Sequence, residues 1–541
     1  MTRFQNPLRG TAAAFLLAVA TAGTVHAQAL SVLYNFGSKS GDPLVPSYSG
    51  SIAQGRDGDL YTTSPSGGTG NGTAFKISPT GTLTVLHNFN GVSEGGAPAG
   101  GLTLGTDGNL YGTTTTGGTC CGTVFKMTPA GTLTVLHNFG AKDGGSPLAA
   151  PILGTDGSFY GTTVGSVEAP YGTVYKVTSA GKFTTIYTFD VTHGAYPYAP
   201  LIQGSDGNFY GTTNQGGSNT SGTIFKITPA GKLTVLFNCD ITHGVFPVAP
   251  LVQGADGNFY GTTFGGGTGD VGTIFQMAPD GTLRVLHNFN FNPDGGRPNA
   301  GVFQATDSNL YGAAQQGGFD GFGTVYQMDT GGVTYKVLYI FDNTTGAVPN
   351  VTLMQHTNGS MYADTLNGGS AADGVFYGVG GNFGAFASLV TLAGKVGKTI
   401  GILGQGFTGT TAVSFNGTPA KFKAVSNTYL TATVPDGATT GFVGVTTPGG
   451  TLTSRQTFDV TPQVSGFTPP SGTVGTPVTI NGDSLTQTTS VTFGGVTQKT
   501  FIVKSDKQLI ANVPTGAKTG KISVITPGGT GSSSAKFTVT P

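Results

Sequence analysis

The chain has 541 residues, with 93 glycines, no tryptophan and only 9% charged residues. Lysine plus arginine balances aspartate plus glutamate at 25 each, and no basic cluster is present. Because phosphate binding needs a clustered positive surface, we do not expect nucleic acid as a partner. A chain of this length is too long to fold around a single hydrophobic core, and its glycine-rich composition favours β structure. We therefore expect an exported all-β protein of several modules.

The N-terminus predicts a secretory signal peptide, residues 1–27. Arg3 and Arg9 precede an apolar run over 12–20, which is followed by small residues. That run is far shorter than the roughly 20 residues of a membrane helix. We expect cleavage after residue 27, with Ala29 as the alternative, no membrane span, and an extracellular, cell-surface or periplasmic protein.

The stretch over 201–238, LIQGSDGNFYGTTNQGGSNTSGTIFKITPAGKLTVLFN, is the unit that fills most of the chain. Two tight turns, at 205–207 and 229–232, each join two runs rich in β-branched and aromatic residues. Aspartate can hydrogen-bond its own backbone in such a turn, and glycine can take positive φ. One unit is therefore predicted to be a four-stranded antiparallel meander.

Seven copies of the first hairpin recur about every 50 residues, marked by Tyr61, Tyr111, Tyr160, Tyr210, Tyr260, Tyr311 and Tyr362. The fourth strand follows only six of them, and its seventh copy is Leu30 to Phe36, ahead of the first hairpin. A closed ring explains this displacement, because the N-terminal strand completes the last unit and removes a free sheet edge. The predicted fold over 28–380 is a seven-bladed β-propeller closed by an N-terminal strand.

Through the pattern DGNFYGTT…GTIFKITPAGKLTVLFN, the copies resemble the GloVer tandem repeat of exported bacterial proteins, named for Gloeobacter and Verrucomicrobia. The resemblance covers residues 30 to about 378. It implies bacterial export, and it brings no catalytic residues with it. The glycine-rich segment 378–384 is predicted to be a linker.

Two C-terminal modules are predicted as small β-sandwiches, at 386–461 and 462–541. The segment TPGGT at 447–451 recurs at 526–530, and a VP-x-GA segment recurs with it. With PPSGTVG at 469–475, these segments resemble IPT/TIG domains of the immunoglobulin-like family, although the first module lacks the Pro-Pro pair. The resemblance implies a spacer or adhesive role, without catalytic residues.

Three cysteines are too few for a disulfide scaffold. Cys239 takes the place of Phe89, Phe139 and Phe189 in other copies, which predicts a small buried apolar residue. Cys120 and Cys121 are adjacent in a loop, and the sequence leaves open whether they form a vicinal disulfide or stay reduced.

Functional residues are expected on the face that carries the longer loops and the connections between blades, because the tight turns hardly vary between copies. Each connection has a glycine three residues before a proline, directly preceded by Glu94, Asp143, His193, His243, Asp294 or Thr345. Five neighbouring blades thus present an ionisable group at one position. This arc could bind a metal or supply acid and base on the ring axis. The alternative is a set of solvated loop residues too far apart to cooperate.

Aromatic side chains of the same loops could stack on sugar rings. They are Tyr171, Tyr196, Phe246, Phe291, Phe319 and Phe322. The alternative is packing of loop against loop, which the absence of tryptophan favours. His87, His137 and His287 share a strand position with tyrosine or phenylalanine in other copies, which predicts packing rings rather than ligands. The aspartates of the first hairpin, such as Asp206, are predicted to be turn residues.

The leading hypothesis is an exported, non-catalytic, monomeric binding or adhesion protein without a cofactor or bound metal. Its loop face would bind a polysaccharide or a cell-surface protein, and the IPT/TIG modules would form a stalk. The predicted ligand-binding residues are Asp143, His193, Tyr196, His243, Phe246, Asp294 and Arg297. One alternative is a carbohydrate-active enzyme with Glu94, Asp143 and Asp294 as catalytic carboxylates. Another is a structural surface-layer or matrix protein.

Overall fold

The computed structural model describes residues 30–46, 51–381 and 383–541, so the predicted signal peptide lies outside the described residues. Within them the regular secondary structure is β-strand, apart from the short segment Phe291–Asp294, in which Asn292 has extended dihedrals, φ −130° and ψ 126°. No helix in these ranges is long and apolar enough to cross a membrane.

Six four-stranded antiparallel sheets follow one another along the chain, each with its strands in sequence order. Sheets 1 to 3 consist of Ala53–Gln54, Leu60–Ser64, Thr73–Ile77 and Leu83–Asn88; Thr103–Leu104, Leu110–Thr114, Thr123–Met127 and Leu133–Asn138; and Ile152–Leu153, Phe159–Thr163, Thr173–Val177 and Phe183–Thr188. Sheets 4 to 6 consist of Ile202–Gln203, Phe209–Thr213, Thr223–Ile227 and Leu233–Asn238; Val252–Gln253, Phe259–Thr263, Thr273–Met277 and Leu283–Asn288; and Phe303–Gln304, Leu310–Ala314, Thr324–Met328 and Tyr335–Ile340.

Sheet 7 takes one edge strand from the beginning of the described chain. Its strands are Leu30–Asn35, Val375–Val379 and Met361–Asn367, and the last of these also pairs with Met354–Gln355 and Ala347–Pro349. The strand that the repeat count displaces to the N-terminus is therefore paired with the last repeat. Gly378 and Val379 lie opposite Ser31 and Leu30, so the predicted linker is wrong at its start because these two residues complete a ladder. A separate two-stranded ladder joins Pro43–Leu44 to Ser66–Gly67.

An aspartate and a tyrosine four residues later fix each first hairpin. In sheet 4, Asp206 Oδ1 accepts the Asn208 N–H at 3.0 Å, and Asp206 Oδ2 accepts the Tyr210 hydroxyl at 2.8 Å. The same tyrosine–aspartate bond, at 2.7 to 2.9 Å, occurs in each of sheets 1 to 6. In sheet 7 Asn358 replaces the aspartate and donates to Tyr362 at 3.1 Å. The recurrent aspartates are turn residues, as predicted.

Hydrophobic clusters fill the spaces between neighbouring sheets. A further cluster joins Tyr362 and Phe376 of sheet 7 to Leu60 and Phe75 of sheet 1, around Phe36, which is 0% exposed. The packing thus runs from each sheet to the next and returns from sheet 7 to sheet 1. These repeated four-stranded sheets are consistent with propeller-like blades.

Glutamines on the short first strands link neighbouring sheets. Four of them each accept a backbone N–H from the preceding sheet's first turn at 2.8 to 3.1 Å, namely Gln203, Gln253, Gln304 and Gln355. Gln54 links sheet 1 to sheet 7, because its amide donates to Thr357 Oγ1 at 2.8 Å and accepts the Thr357 N–H at 3.0 Å. These bonds fix the spacing of the sheets along their first strands.

The C-terminal part forms two sandwich modules, each with its own core. One sheet of the first module consists of Ser388–Leu389, Thr399–Leu403, Tyr429–Thr433 and Phe422–Ala424. Its other sheet consists of Thr418–Pro419, Ala412–Phe415, Val443–Thr447 and Gly450–Thr453, and Ala393–Gly394 pairs separately with Asp459–Val460. In the second module, one sheet consists of Gln463–Thr468, Pro477–Asp483, Gln508–Asn512 and Phe501–Ser505. The other sheet consists of Ser471–Gly472, Gly529–Val539, Gly520–Thr526, Ser490–Phe493 and Val496–Gln498.

The first module packs on the ends of the sheets that carry the tight turns, which we name the turn face. Thr428 Oγ1 donates to the Arg56 carbonyl at 2.7 Å, and the Arg56 guanidinium lies 4.5 Å from the centre of the Tyr429 ring. Gln405 donates to Thr357 Oγ1 at 3.0 Å. Antiparallel connectivity places the longer loops and the connections at the opposite ends of the sheets, which we name the loop face. The module therefore contacts the face opposite the predicted site residues.

Candidate functional site

The connections that cross the loop face share an unusual backbone conformation. The residue directly before the recurrent proline has positive φ in seven connections, and none of the seven is glycine. They are Val45 (51°), Ala97 (49°), Ser146 (51°), Tyr196 (58°), Phe246 (57°), Arg297 (52°) and Val348 (58°). Such a conformation costs about 1–3 kcal/mol for a non-glycine residue and persists only where the surroundings enforce it.

Hydrogen bonding and close packing enforce it here. The Phe246 N–H donates to the Ser221 carbonyl at 2.9 Å, and the equivalent bond is present in the other six connections. The next residue, Pro247, packs on Gly222, where an added Cβ would lie 2.8 Å from the proline Cδ. The left-handed residue, the proline and the glycine thus form one interlocked unit, which explains why the last two recur together.

Three consecutive connections carry a large side chain at the left-handed position, Tyr196, Phe246 and Arg297, whereas the other four carry smaller ones. Phe246 is 38% exposed. The Arg297 guanidinium lies 5.6 Å from the centre of the Phe264 ring and 5.9 Å from that of Phe291. We name this set the aromatic platform: Tyr196, Phe246, Phe264, Phe291 and Arg297.

The other predicted aromatic residues divide between surface and core. Tyr171 packs against the cluster between sheets 3 and 4 and lies 6.3 Å from Tyr196, ring centre to ring centre. Phe322 packs against the cluster between sheets 6 and 7. Phe319 is 73% exposed and Phe291 40%. Packing of loops therefore accounts for Tyr171 and Phe322, whereas Phe246, Phe291 and Phe319 remain accessible.

The ionisable residues of the predicted arc each pair within their own repeat. The pairs are His87–Glu94 at 3.1 Å, His137–Asp143 at 2.8 Å, His287–Asp294 at 3.3 Å, His193–Asp190 at 2.8 Å and His243–Asp240 at 2.9 Å. Thr345 accepts the Tyr339 hydroxyl at 2.9 Å in the same way. Within the described ranges, no group of three His, Cys, Asp or Glu side chains could hold a metal ion. The arc is a series of local pairs rather than one converging cluster.

Two of the strand histidines combine ring packing with these pairs. The His137 ring stacks on Phe183 with centres 3.6 Å apart, and the His287 ring stacks on Tyr335 at 3.8 Å. Burial lowers the pKa of His137 even though Asp143 favours its charged form. The neutral ring then donates its Nε2–H to the carboxylate. The prediction of packing rings was therefore correct but incomplete.

The family follows from the repeats themselves. A model of the Gloeobacter/Verrucomicrobia repeat matches residues 21–204, 119–289 and 200–420, which together span more than half of the chain. The chain belongs to the Gloeobacter/Verrucomicrobia repeat family. A model of the IPT/TIG domain matches 386–460 and 462–539, so the two sandwich modules of this repeat protein are IPT/TIG domains.

The Gloeobacter/Verrucomicrobia repeat protein has distant likenesses among solved structures. A fungal alcohol oxidase of the AA5 family in complex with copper is 15% identical, over 92% of this chain and 98% of that one, with a TM-score of 0.40. Surface glycan-binding protein PbSGBP-B from Prevotella bryantii is 18% identical, over 29% of this chain and 40% of that one, with a TM-score of 0.21. These likenesses carry no functional argument. No curated protein matches the chain.

The local pairs were not predicted from the sequence, although comparing the Gloeobacter/Verrucomicrobia repeats with one another would have indicated them. Copies with a strand histidine carry a carboxylate in the following connection, as in His137 with Asp143. Copies with a strand Tyr187 or Phe237 carry a histidine there instead. The strand ring and the connection residue therefore change together. A pairwise comparison of repeats would have predicted their contact.

The cysteines of the repeat protein resolve into two kinds. Cys120 and Cys121 are joined by a disulfide of 2.09 Å, which decides between the two states that the sequence left open. Cys239 is 1% exposed and packs between sheets 4 and 5, as predicted. Burial raises the pKa of its thiol to about 12, so it is an uncharged core residue.

Proposed function

We propose that this protein is an exported, non-catalytic binding protein whose loop face holds a polysaccharide. In this proposal residues 28–380 form a seven-bladed β-propeller closed by the strand Leu30–Asn35. The IPT/TIG domains, at 386–461 and 462–541, form its stalk, and residues 1–27 direct export. The supporting observation is the aromatic platform, in which three consecutive connections present a large side chain from one equivalent backbone position.

The chemistry of the platform suits a sugar chain. A pyranose ring has an apolar face of C–H groups and a rim of hydroxyls, and aromatic rings match the apolar face. The Arg297 guanidinium contacts both the Phe264 and Phe291 rings, so its donors are held in position for a hydroxyl or carboxylate. Apolar surface with a few placed polar groups is the usual make-up of a ligand site.

Polar groups of the same connections add to the rim of this site. The His193–Asp190 pair has side chains 47% and 56% exposed, and the His243–Asp240 pair 38% and 35%. Each pair offers both donors and acceptors to a ligand hydroxyl. Asp294, also in the predicted set, is only 15% exposed beside His287. We therefore assign His193 and His243 to ligand contact, and Asp143 and Asp294 to holding their connections.

The enforced backbone adds to the case. Left-handed residues that are locked by a hydrogen bond and a following proline have little freedom to lose when a ligand binds. The first IPT/TIG domain contacts the turn face through Thr428 and Tyr429, so it does not cover the loop face. The platform can then meet an extended polymer.

A glycan array of the mature protein tests this proposal. The informative variant is Tyr196→Ala with Phe246→Ala, because Ala97 already holds this conformation with φ of 49°. The matched control is Val333→Ala, which removes a side chain 87% exposed in a tight turn of sheet 6. Wild type and control are expected to bind the same glycans, and the double variant to lose them. Unchanged binding by the double variant would move the site elsewhere, and an array without any bound glycan would contradict the proposal.

A further inference from the structure

A cavity of about 1000 Å³ lies between sheets 3 to 6 and the first IPT/TIG domain. The first strands and turns of the sheets form one wall, with Ile202 and Val252 among the apolar residues. The IPT/TIG domain forms the other wall, with Phe442 and the segment 453–457. This volume is in the range of small-molecule sites, and such sites commonly occur where two domains meet. It is on the turn face and is separate from the aromatic platform.

One cation, Arg455, lines this cavity. Arg455 follows the strand Gly450–Thr453, and its backbone N–H donates to the Ala387 carbonyl at 3.2 Å. Its side chain is exposed to the cavity, and its guanidinium lies 5.1 Å from the centre of the Phe303 ring. None of the ion pairs between described residues includes Arg455. Contact with an aromatic face leaves the guanidinium edge, with its donors, free for an anion.

The charges in the cavity indicate which kind of anion Arg455 could bind. The surrounding protein lowers the pKa of Arg455 to about 10, which is still well above neutral pH, so the guanidinium stays charged and can pair with an anion. Asp459 lines the same cavity, and burial raises the pKa of its carboxyl to about 6. A single guanidinium matches a singly charged carboxylate through two parallel bonds. A phosphate would bring nearly two charges into a cavity that already holds a carboxyl group.

We propose that the cavity between the sheets and the first IPT/TIG domain binds a small organic carboxylate, with Arg455 as the residue that pairs with its carboxylate group. The apolar wall of Ile202, Val252 and Phe442 contacts the carbon skeleton of the ligand. The sheets and the IPT/TIG domain each supply part of the site. Occupancy therefore also ties the stalk to the turn face.

Isothermal titration of the mature protein with sodium acetate, lactate and glucuronate tests the proposal, with glucose and inorganic phosphate as comparison ligands at constant ionic strength. At least one carboxylate is expected to bind saturably, and more tightly than glucose or phosphate. Arg455→Gln keeps a polar side chain but removes the charge, and it is expected to weaken that binding at least about tenfold. Arg284→Gln, at an exposed arginine of sheet 5, is the matched control and is expected to bind as wild type does. Absence of saturable binding to all three carboxylates, or equal binding by Arg455→Gln, would overturn the proposal.

A second measurement uses only the wild-type protein. Phenylglyoxal modifies accessible guanidinium groups, and mass spectrometry of the peptide with Arg455 reports the rate of modification. The best-binding carboxylate is expected to slow the modification of Arg455 and to leave that of Arg284 unchanged. Equal rates at Arg455 with and without the carboxylate would contradict the proposal. For the titrations with Arg455→Gln, the melting temperature of the variant is measured as well, and an unchanged value would show that lost binding is not loss of fold.

Discussion

Tyr196 and Phe246 occupy the same backbone position in consecutive connections, with φ of 58° and 57°, and each directly precedes a proline. The cost of that conformation, about 1–3 kcal/mol per residue, is met by a hydrogen bond from each N–H to a loop carbonyl. The scaffold therefore holds these side chains at fixed positions on one face. Rigid connections thus display side chains that differ from repeat to repeat on one face, as the proposed binding site requires.

Closure of the circuit of sheets is expected to depend on Phe36. The side chain is 0% exposed and packs 5.7 Å from the Phe75 ring, centre to centre. Phe36→Ala should destabilise the repeat region by about 3–5 kcal/mol, as other buried phenylalanines do. Urea unfolding followed by circular dichroism measures this, and Phe442→Ala, at a side chain 50% exposed, is the control. Equal midpoints for the two variants would show that the first and last sheets do not stabilise each other.

Acid is expected to weaken the same seam through His356. This residue is 1% exposed, its Nε2 lies 2.9 Å from the Gly58 carbonyl, and its Nδ1 accepts the Asn358 N–H at 3.2 Å. Burial lowers its pKa below the usual 6.5. At acid pH the His356 side chain therefore binds a proton more readily in the unfolded chain than in the folded one. Its contribution to the free energy of unfolding is fully present above pH 6.5 and is lost as the pH falls below that value.

Urea midpoints at pH 7.5 and pH 5.0 measure this effect. His356→Gln keeps a polar side chain but cannot take up the proton, so its midpoint is expected to fall less than that of the wild type. His193→Gln, at a side chain 47% exposed, is expected to behave as the wild type does. The same pH dependence in His356→Gln and wild type would assign the acid sensitivity to other groups.

Much of the architecture follows from local patterns. The repeat period and the displaced strand Leu30–Phe36 predict the pairing with the last repeat, because a strand and its partners keep their side-chain pattern wherever they stand in the chain. The left-handed connections were not predictable in this way. A residue before proline is normally extended, and Phe246 departs from that only because its N–H reaches the carbonyl of Ser221, far away in sequence.

Some features of the candidate site could likewise be predicted from the sequence, whereas others could not. Sequence comparison located the connections, but it assigned His137 to packing alone, because a flat ring recurs at that position. Its bond to Asp143 is visible only when two positions are compared across repeats. The contact between Arg56 and Tyr429 has no sequence signal at all, since it joins the surfaces of two parts that have separate hydrophobic cores.

The His137–Asp143 pair is expected to make a modest contribution to stability. Their side chains are 22% and 29% exposed, and pairs of this kind are worth about 0.2–1 kcal/mol. A double-mutant cycle with His137→Phe and Asp143→Ala isolates this coupling free energy, because phenylalanine keeps the stacking on Phe183. A coupling of zero would mean that ring packing alone positions the connection.

The affinity of the full mature protein for its best array polysaccharide, measured by isothermal titration, tests the central claim most directly. The comparison is between wild type and the triple variant Tyr196→Ala, Phe246→Ala, Arg297→Ala. Removal of three anchors is expected to weaken binding at least about tenfold, with an unchanged melting temperature. Equal affinity of the two proteins would contradict the assignment of the loop face as the binding site.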